Sequence, residues 1–234
     1  MDKNRLSPRL ALIADLVPKG SRLADVGTDH GYLPIDLLRR GIIQSAVATD
    51  IRPGPLSAAV KNAEEAEVDR IRFCLCDGLS GVSPEEADTV VIAGMGGENI
   101  VHILRSALWA GQNCSLLLQP MSRPEILRRE LADMGIRIEE EHLISDSGRI
   151  YSVLLARNGQ PETYSSAEYY IGRYALVSGE ALFLPFLSQW EAKLDTALVG
   201  LSRSGKPEDR TRAEELRTVR EEFRQMRCEY DKSM

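Results

Sequence analysis

The chain has 234 residues and a formal net charge of −6, which allows one sizeable domain plus an appendage and argues against non-specific coating of nucleic acid. Its 43% hydrophobic and 27% charged residues are ordinary for a globular protein, and no apolar run approaches the roughly 18 residues of a membrane span. Arg9 and Asp15 interrupt the N-terminal segment, which therefore lacks the apolar core of a signal peptide. We expect a cytoplasmic protein with no membrane partner and with reduced cysteines.

Apolar runs alternate with amphipathic stretches from residue 21 onward. Five short runs predict buried strands, at 21–27, 45–51, 71–77, 88–94 and 113–120. The segments between them predict helices, at 32–41, 54–68, 97–111 and 123–135. Two extended runs then flank a turn at 146–149, which predicts a hairpin. The order predicts an α/β fold with a Rossmann-like sheet of five parallel strands closed by an antiparallel hairpin, as in class I methyltransferases.

The C-terminal part has a different character. Residues 165–202 and 207–230 read as two long helices, each with apolar residues at three- and four-residue spacing. Such a pattern on two helices joined by a short turn predicts an antiparallel coiled-coil hairpin. We therefore predict a methyltransferase-like domain over residues 1–160 and a helical coiled-coil domain over residues 161–234.

The string ADVGTDHGYLP, residues 24–34, joins the first predicted strand to the first predicted helix. Gly27 and Gly31 allow positive φ and a close approach of backbone to ligand, and the N-terminus of the next helix offers N–H groups. A glycine turn also occurs simply to make a strand-to-helix corner.

Three acids stand at or near the carboxyl ends of successive predicted strands. Asp25 precedes the glycine turn, Asp50 ends the second strand and Asp77 ends the third. An acid after the second strand accepts hydrogen bonds from ribose hydroxyls, and one after the third can receive an adenine amino group. Acids here also serve as helix caps and turn formers. Three of them in register with a glycine turn favour a ligand site.

The charge of the turn selects the ligand. Asp25 and Asp29 would repel a pyrophosphate, which makes a nicotinamide enzyme the weakest interpretation. They suit a ligand that carries an ammonium and a sulfonium, namely S-adenosylmethionine. No metal site is expected, because the three histidines lack ligands at suitable spacing.

The chain resembles a known family along essentially its whole length. The strings RLADVGTDHGYLP, ATDIRPGPL, CDGL, VIAGMGGENI and LQPMSRPEILRREL are similar to those of the bacterial tRNA (adenine(22)-N1)-methyltransferases. The resemblance implies a class I domain with a helical extension, S-adenosylmethionine as cofactor, tRNA as partner and methyl transfer to N1 of an adenine. The predicted cofactor-binding residues are Asp25, Gly27, Thr28, His30, Gly31, Asp50, Ile51, Asp77, Gly78, Ala93 and Gly94.

The fourth predicted strand ends in AGMGGENI, residues 93–100. The Asn/Asp-Pro-Pro-aromatic string typical of exocyclic-amine methyltransferases is missing, which counts against N6 chemistry. The glycines offer bare backbone to a flipped base, although they also suit a tight turn capped by Glu98. We predict substrate contacts from Tyr32, Met95, Gly96 and Gly97; Tyr32 either stacks on a base or packs.

Asp29 is the predicted catalytic residue. Methylation at N1 leaves positive charge on the purine, which a nearby carboxylate stabilises or relieves by taking an N6 proton. The alternative is that Asp29 caps the helix that begins at Tyr32.

Two groups of arginines are predicted to contact RNA phosphates: Arg123, Arg128 and Arg129 after the fifth strand, and Arg217, Arg220 and Arg224 in the last helix. In the last helix the alternative is an ordinary solvated coiled coil with ion pairs. Two other functions stay open on the residues alone: methylation of a small molecule or protein, and a non-catalytic methyltransferase-like scaffold. We expect a monomer.

Overall fold

The computed structural model describes residues 6–160, 162–203 and 206–233. The chain divides into two compact units. The first runs to Glu140 and includes Val153–Glu162, and the second comprises Glu141–Ser152 and continues from Thr163. The tip of the predicted hairpin, residues 141–152, is thus grouped with the C-terminal helices. A single boundary at residue 160, as predicted, places these residues in the first domain.

Seven strands form one sheet in the order β3-β2-β1-β4-β5-β7-β6. They are β1 (Arg22–Val26), β2 (Ser45–Asp50), β3 (Ile71–Leu75), β4 (Thr89–Gly96), β5 (Ser115–Ser122), β6 (Ile136–Asp146) and β7 (Arg149–Asn158). The first five strands pair in parallel, and β7 pairs antiparallel to β5. The predicted fold class, five parallel strands closed by an antiparallel hairpin, is confirmed.

Helices surround this sheet. In the first unit they are α1 (Pro8–Leu16), α2 (Tyr32–Arg39), α3 (Pro53–Glu65), α4 (Gly97–Ser106), α5 (Leu108–Asn113) and α6 (Pro124–Asp133), with a 3₁₀ turn at Pro84–Glu86. The single helix predicted over 97–111 is two helices, because Ala107 leaves the helical region at φ −137° and ψ 65°. Helix α1 was not predicted, although Ser7 caps it through the Leu10 N–H and Pro8 stands in its first turn.

The strand order reverses between β1 and β4. From β1 the chain proceeds outward to β2 and β3 on one side, and to β4 and β5 on the other. Leu23, Val91 and Leu117 on one face of the three central strands have no exposed surface, and neither do Ala24, Val90 and Leu116 on the other face. This part of the sheet is therefore buried on both faces. Ligands of open α/β sheets bind at such a reversal, outside the carboxyl ends of the strands.

The second unit contains α7 (Glu168–Ile171), α8 (Tyr174–Val177), α9 (Phe183–Ser202) and α10 (Pro207–Ser233). The long helix predicted over 165–202 is therefore interrupted twice. The first break is at Gly172, which has φ +97° and lies so close to the Glu141 carboxylate that a Cβ would clash with it.

Helices α9 and α10 pack against each other, as the apolar spacing predicts. Leu187 and Leu194 of α9 share one core with Leu216, Val219 and Phe223 of α10. Within the described residues, no helix combines the length and the apolar character needed to cross a membrane.

Candidate cofactor and substrate site

A cavity of about 630 Å³ lies at the carboxyl ends of β1 to β4. It is lined by all the predicted cofactor residues except Gly31, and also by Asp29, Tyr32 and Met95. The structure thus brings the predicted residues together at the point where the strand order reverses. Their individual roles stay predictions.

The loop after β1 is held in an unusual backbone conformation. Gly27, Asp29 and Gly31 all have positive φ, at 69°, 53° and 70°. The N–H groups of Gly27 and Thr28 both donate to the Thr49 carbonyl at 2.9 Å, which ties the loop to β2. Positive φ is uncommon outside glycine, although Asp and Asn tolerate it better than most residues. The loop is therefore fixed in shape by its backbone.

Asp29 does not cap the helix. The N-cap of α2 is Gly31, and no side chain supplies a capping hydrogen bond there. Gly31 packs against Ala59 of α3 and does not line the cavity. The Asp29 side chain is 61% exposed, lines the cavity, and has its carboxylate 3.8 Å from Nε2 of His30. This geometry removes the capping alternative and leaves an exposed carboxylate on a residue that lines the cavity.

Asp25 is the buried acid of the site. Its hydroxyl-bearing neighbour Thr28 donates to the carboxylate at 2.5 Å, and Asp25 is only 6% exposed. Burial raises the pKa of Asp25 to about 6, the Thr28 hydrogen bond lowers the pKa, and the negative charge of Asp50 raises it. At neutral pH the cavity thus holds a poorly solvated carboxylate, which a cationic ligand stabilises.

We expect the affinity for S-adenosylhomocysteine to depend on pH through Asp25. The ligand's ammonium group lowers the pKa of Asp25 in the complex, so binding releases a proton and weakens as pH falls below about 6. Above about 6 the affinity should be constant. Calorimetric titration between pH 5 and pH 8, in buffers of different ionisation enthalpy, measures both the affinity and the proton release.

Asp25→Asn is the matched control for that dependence, because the amide keeps an acceptor for Thr28. The pKa of Asp25 is higher in the folded chain, about 6, than the ordinary value of 3.8. Ionisation of Asp25 therefore lowers the stability of the unliganded fold as the pH rises from about 3.8 to about 6. The variant should therefore melt above the wild type at pH 8 and not at pH 4. A pH-dependence of binding that survives in the variant would assign the proton to another group.

Asp50 ends β2 with its carboxylate held by backbone. One oxygen accepts the Arg52 N–H at 2.9 Å and the other the Asp29 N–H at 3.4 Å, and the residue is 5% exposed. The two bonds fix the plane of the carboxylate at the wall of the cavity. Asp77, one strand further on, is exposed and lines the same cavity.

The end of β4 bends over the loop. The pairing of β4 with β5 shifts register at Met95, and Gly94 has φ +79°. Met95 covers Gly27 so closely that a Cβ on Gly27 would clash with Cε of Met95. Bulges of this kind re-aim side chains next to active sites. Here the bulge places the Met95 thioether on the glycine loop.

Two residues that sequence reasoning missed hold this bend. The amide oxygen of Gln119, which has no exposed surface, accepts the Gly94 N–H at 3.1 Å and Nη1 of Arg9 at 2.6 Å. Arg9 comes from α1 and lines the cavity. The only signal in the sequence was a glutamine in the otherwise apolar run of β5.

Gly96 and Gly97 do not line the cavity, and their role as substrate contacts stays a prediction. Gly97 is buried, and a Cβ there would clash with the carbonyl oxygen of Arg123. A Cβ on Gly96 would approach the Ser122 hydroxyl at 3.2 Å. These glycines let the turn before α4 pack closely against the turn before α6.

The arginines after β5 differ from one another. Arg128 is fully buried at 0% exposure, so its prediction as an RNA contact is wrong. Arg123 is half exposed and bonds Glu125 at 2.9 Å, with φ +54°. Arg129 is exposed. Only the last two present surface that a phosphate can reach.

Two of the predicted arginines of α10, Arg217 and Arg224, are exposed, and Arg220 is half-buried. Arg220 bonds Asp195 of α9 at 2.8 Å, and Arg224 bonds Glu221 at 3.2 Å. Exposed ion pairs of this kind contribute little to stability, so these arginines can leave their carboxylate partners and bind phosphate instead.

Among the described residues, no group of three or more His, Cys, Asp or Glu is placed to hold a metal ion.

The fold and the acids around the glycine loop define a methyltransferase, and residues 6–154 match the methyltransferase-domain family. The tRNA (adenine(22)-N(1))-methyltransferase of Bacillus subtilis (strain 168) is 31% identical over 202 residues, which are 83% of this chain and 83% of the relative. The chain belongs to the tRNA (adenine(22)-N(1))-methyltransferase family.

Solved structures are similar over both units of the chain. The crystal structure of the B. subtilis M1A22 tRNA methyltransferase TrmK has a TM-score of 0.85 at 27% identity and covers 96% of this chain and 99% of that one. That of M. capricolum TrmK in complex with the cofactor product S-adenosyl-homocysteine has a TM-score of 0.78 at 25% identity, covering 97% and 98%. The similarity includes the C-terminal helices.

Proposed function

We propose that this protein transfers a methyl group from S-adenosylmethionine to N1 of adenine 22 in tRNA. The observation that carries the proposal is the cavity, in which Asp25, Asp29, Asp50 and Asp77 surround a glycine loop at the strand reversal. Family membership supplies the substrate and the position, since the curated relative is named for adenine 22 of tRNA. The enzyme acts as a monomer in the cytoplasm.

The residues present fit the cofactor. Asp25 is a buried carboxylate whose pKa of about 6 shows how poorly it is solvated without a cation. Gly27 gives the loop its positive φ at a point where a Cβ would clash with Met95. Two backbone donors fix the plane of the Asp50 carboxylate, which can accept hydrogen bonds from two ribose hydroxyls. Bound S-adenosylmethionine supplies the electrophilic methyl group. The chain's own residues orient it and receive the base.

Adenine N1 has an in-plane lone pair, so the protein must align the ring more than it must activate it. His30 and Tyr32 stack with ring centroids 5.4 Å apart, and Tyr32 is 38% exposed at the cavity. This pair offers a face on which an extruded adenine stacks. Asp29 then stabilises the positive charge that N1 methylation leaves on the ring, or accepts an N6 proton.

Methyl transfer to defined transcripts tests the function. Unmodified tRNA is incubated with methyl-labelled S-adenosylmethionine and digested to nucleosides. The matched control transcript carries guanine in place of adenine 22. We expect label in 1-methyladenosine with the first transcript and none with the second. Label in another nucleoside, or no label from an enzyme that binds S-adenosylhomocysteine, would return the function to a small-molecule, protein or scaffold role.

The exposed arginines of α10 bind the tRNA backbone in this proposal. Arg217→Ala should raise the KM for tRNA about threefold to tenfold with kcat unchanged, because a phosphate contact adds affinity without touching the reaction. The KM for tRNA should rise more steeply with added salt in the wild type than in the Arg217→Ala variant. Glu214→Ala, an exposed change one turn away, is the control. Equal KM values for the Arg217 variant and the wild type would remove α10 from the RNA-binding surface.

A further inference from the structure

The strand order indicates which end of the bound cofactor lies at which strand. Across the carboxyl ends the sheet presents Asp77 after β3, Asp50 at the end of β2, Gly27 after β1, Gly94 in β4 and Gln119 in β5. Adenine at Asp77 and ribose at Asp50 place the sulfonium over the glycine loop of β1. The amino-acid end of the molecule therefore extends toward β4 and β5.

A guanidinium stands at that end. Nη1 of Arg9 donates to Oε1 of Gln119 at 2.6 Å and lies 3.9 Å from the position that a Cβ on Gly94 would take. The other hydrogen bonds of Gln119 are also made: the same oxygen accepts the Gly94 N–H, and Nε2 donates to the Pro120 carbonyl at 3.1 Å and to Sδ of Met121 at 3.7 Å. The amide orientation is thus set, and with it the place of Nη1. Arg9 lines the cavity that holds the glycine loop.

The charges of the cofactor require such a group. Its methionine end carries an ammonium and a carboxylate, and the acids of the cavity favour only the ammonium. A carboxylate next to Asp25 and Asp29 is repelled unless a cation separates it from them. Among the described residues, the cavity is lined by one further guanidinium, that of Arg52. It belongs to the ribose end, where its Nε is 3.8 Å from the Asp50 carboxylate.

We propose that Arg9 binds the α-carboxylate of the cofactor's methionine moiety, and that Gln119 is the positioning residue that aims it. The inference rests on the proposed use of S-adenosylmethionine and adds a contact for its anionic group. A planar guanidinium suits a carboxylate, and such charge-assisted bonds are about twice as strong as neutral ones. Helix α1 thereby becomes part of the cofactor site.

Two ligands that differ only at the amino-acid end test the proposal. S-adenosylhomocysteine has the carboxylate and 5′-methylthioadenosine lacks the amino-acid group, and calorimetry measures both on the full chain. Arg9→Met keeps an unbranched side chain of the length of the aliphatic stem and removes the guanidinium with its charge. We expect the affinity for S-adenosylhomocysteine to fall about 10- to 100-fold and that for 5′-methylthioadenosine to stay within about twofold. Arg9→Lys should recover part of the loss.

The positioning role of Gln119 has its own readout. Gln119→Leu should reduce the preference for S-adenosylhomocysteine over 5′-methylthioadenosine about three- to tenfold, in the same direction as the Arg9 variant. Arg39→Met, an exposed arginine in the last turn of α2, is the matched control and should change neither affinity. Circular dichroism and thermal melting establish that each variant is folded.

Three results would overturn the proposal. Equal losses for both ligands make Arg9 structural. Unchanged affinities with a raised KM for tRNA assign its charge to a phosphate of the substrate. Failure of the wild type to bind either ligand removes the cofactor assignment as well. Failure of tRNA methylation with the ligand preference intact would instead contradict the proposed substrate and leave the Arg9 contact standing.

Discussion

Asp29→Asn is expected to lower kcat for tRNA methylation about 100- to 1,000-fold, the range typical of losing one acid–base or electrostatic group in a transition state. Asparagine keeps the shape of the side chain and tolerates the φ of +53° that Asp29 adopts, so the loop backbone should be retained. What is lost is the negative charge beside the developing cation. Single-turnover methyl transfer with saturating cofactor measures the chemical step.

The affinity for S-adenosylhomocysteine separates this role from cofactor positioning. It should stay within about threefold in Asp29→Asn, since the Asp29 N–H that bonds Asp50 belongs to the backbone. Asp36→Asn, an acid of α2 that pairs with Arg40 at 3.0 Å, is the control for removing a nearby charge. A variant that keeps its single-turnover rate would exclude Asp29 from the chemistry, and a parallel loss of affinity would make it a cofactor residue.

The sequence predicts the sheet well because each strand is a local apolar run whose burial follows from its own residues. The interruption of the helix predicted over 165–202 depends on tertiary contact. Gly172 has a φ of +97° where the Glu141 carboxylate comes close, and these residues are far apart in sequence. Local periodicity carries no information about such an approach.

The acids of the site can also be predicted from the sequence, since the carboxyl ends of parallel strands lie at one edge of the sheet regardless of the loop conformations. The contact between Arg9 and Gln119 cannot be predicted in this way, because 110 residues separate them and only the folded chain brings them together. The Arg128 error was avoidable. Pro124, Leu127, Arg128 and Leu131 share the three- and four-residue spacing of a buried helix face, and all are buried in the structure.

Asp50→Asn should weaken S-adenosylhomocysteine binding about 100-fold or more. The wild-type carboxylate can accept charge-assisted bonds from two ribose hydroxyls, each contributing about 1.5–3 kcal/mol. The amide of the variant can turn an N–H group toward them. Two backbone donors already fix the plane of the wild-type group, so the ribose finds it pre-organised. Calorimetric titration at pH 8 measures the loss, with Asp77→Asn, an exposed acid of the same cavity, as the comparison of smaller expected effect.

The same variant links the ribose site to the buried acid. The charge of Asp50 is one of the causes that raise the pKa of Asp25, so removing it should move the pH midpoint of ligand binding below that of the wild type. A lower midpoint together with weaker binding at pH 8 means that the two carboxylates act on one ligand through one electrostatic field. An unchanged midpoint would mean that burial and the Thr28 hydrogen bond set the pKa of Asp25 without Asp50. The two acids would then bind their parts of the cofactor independently.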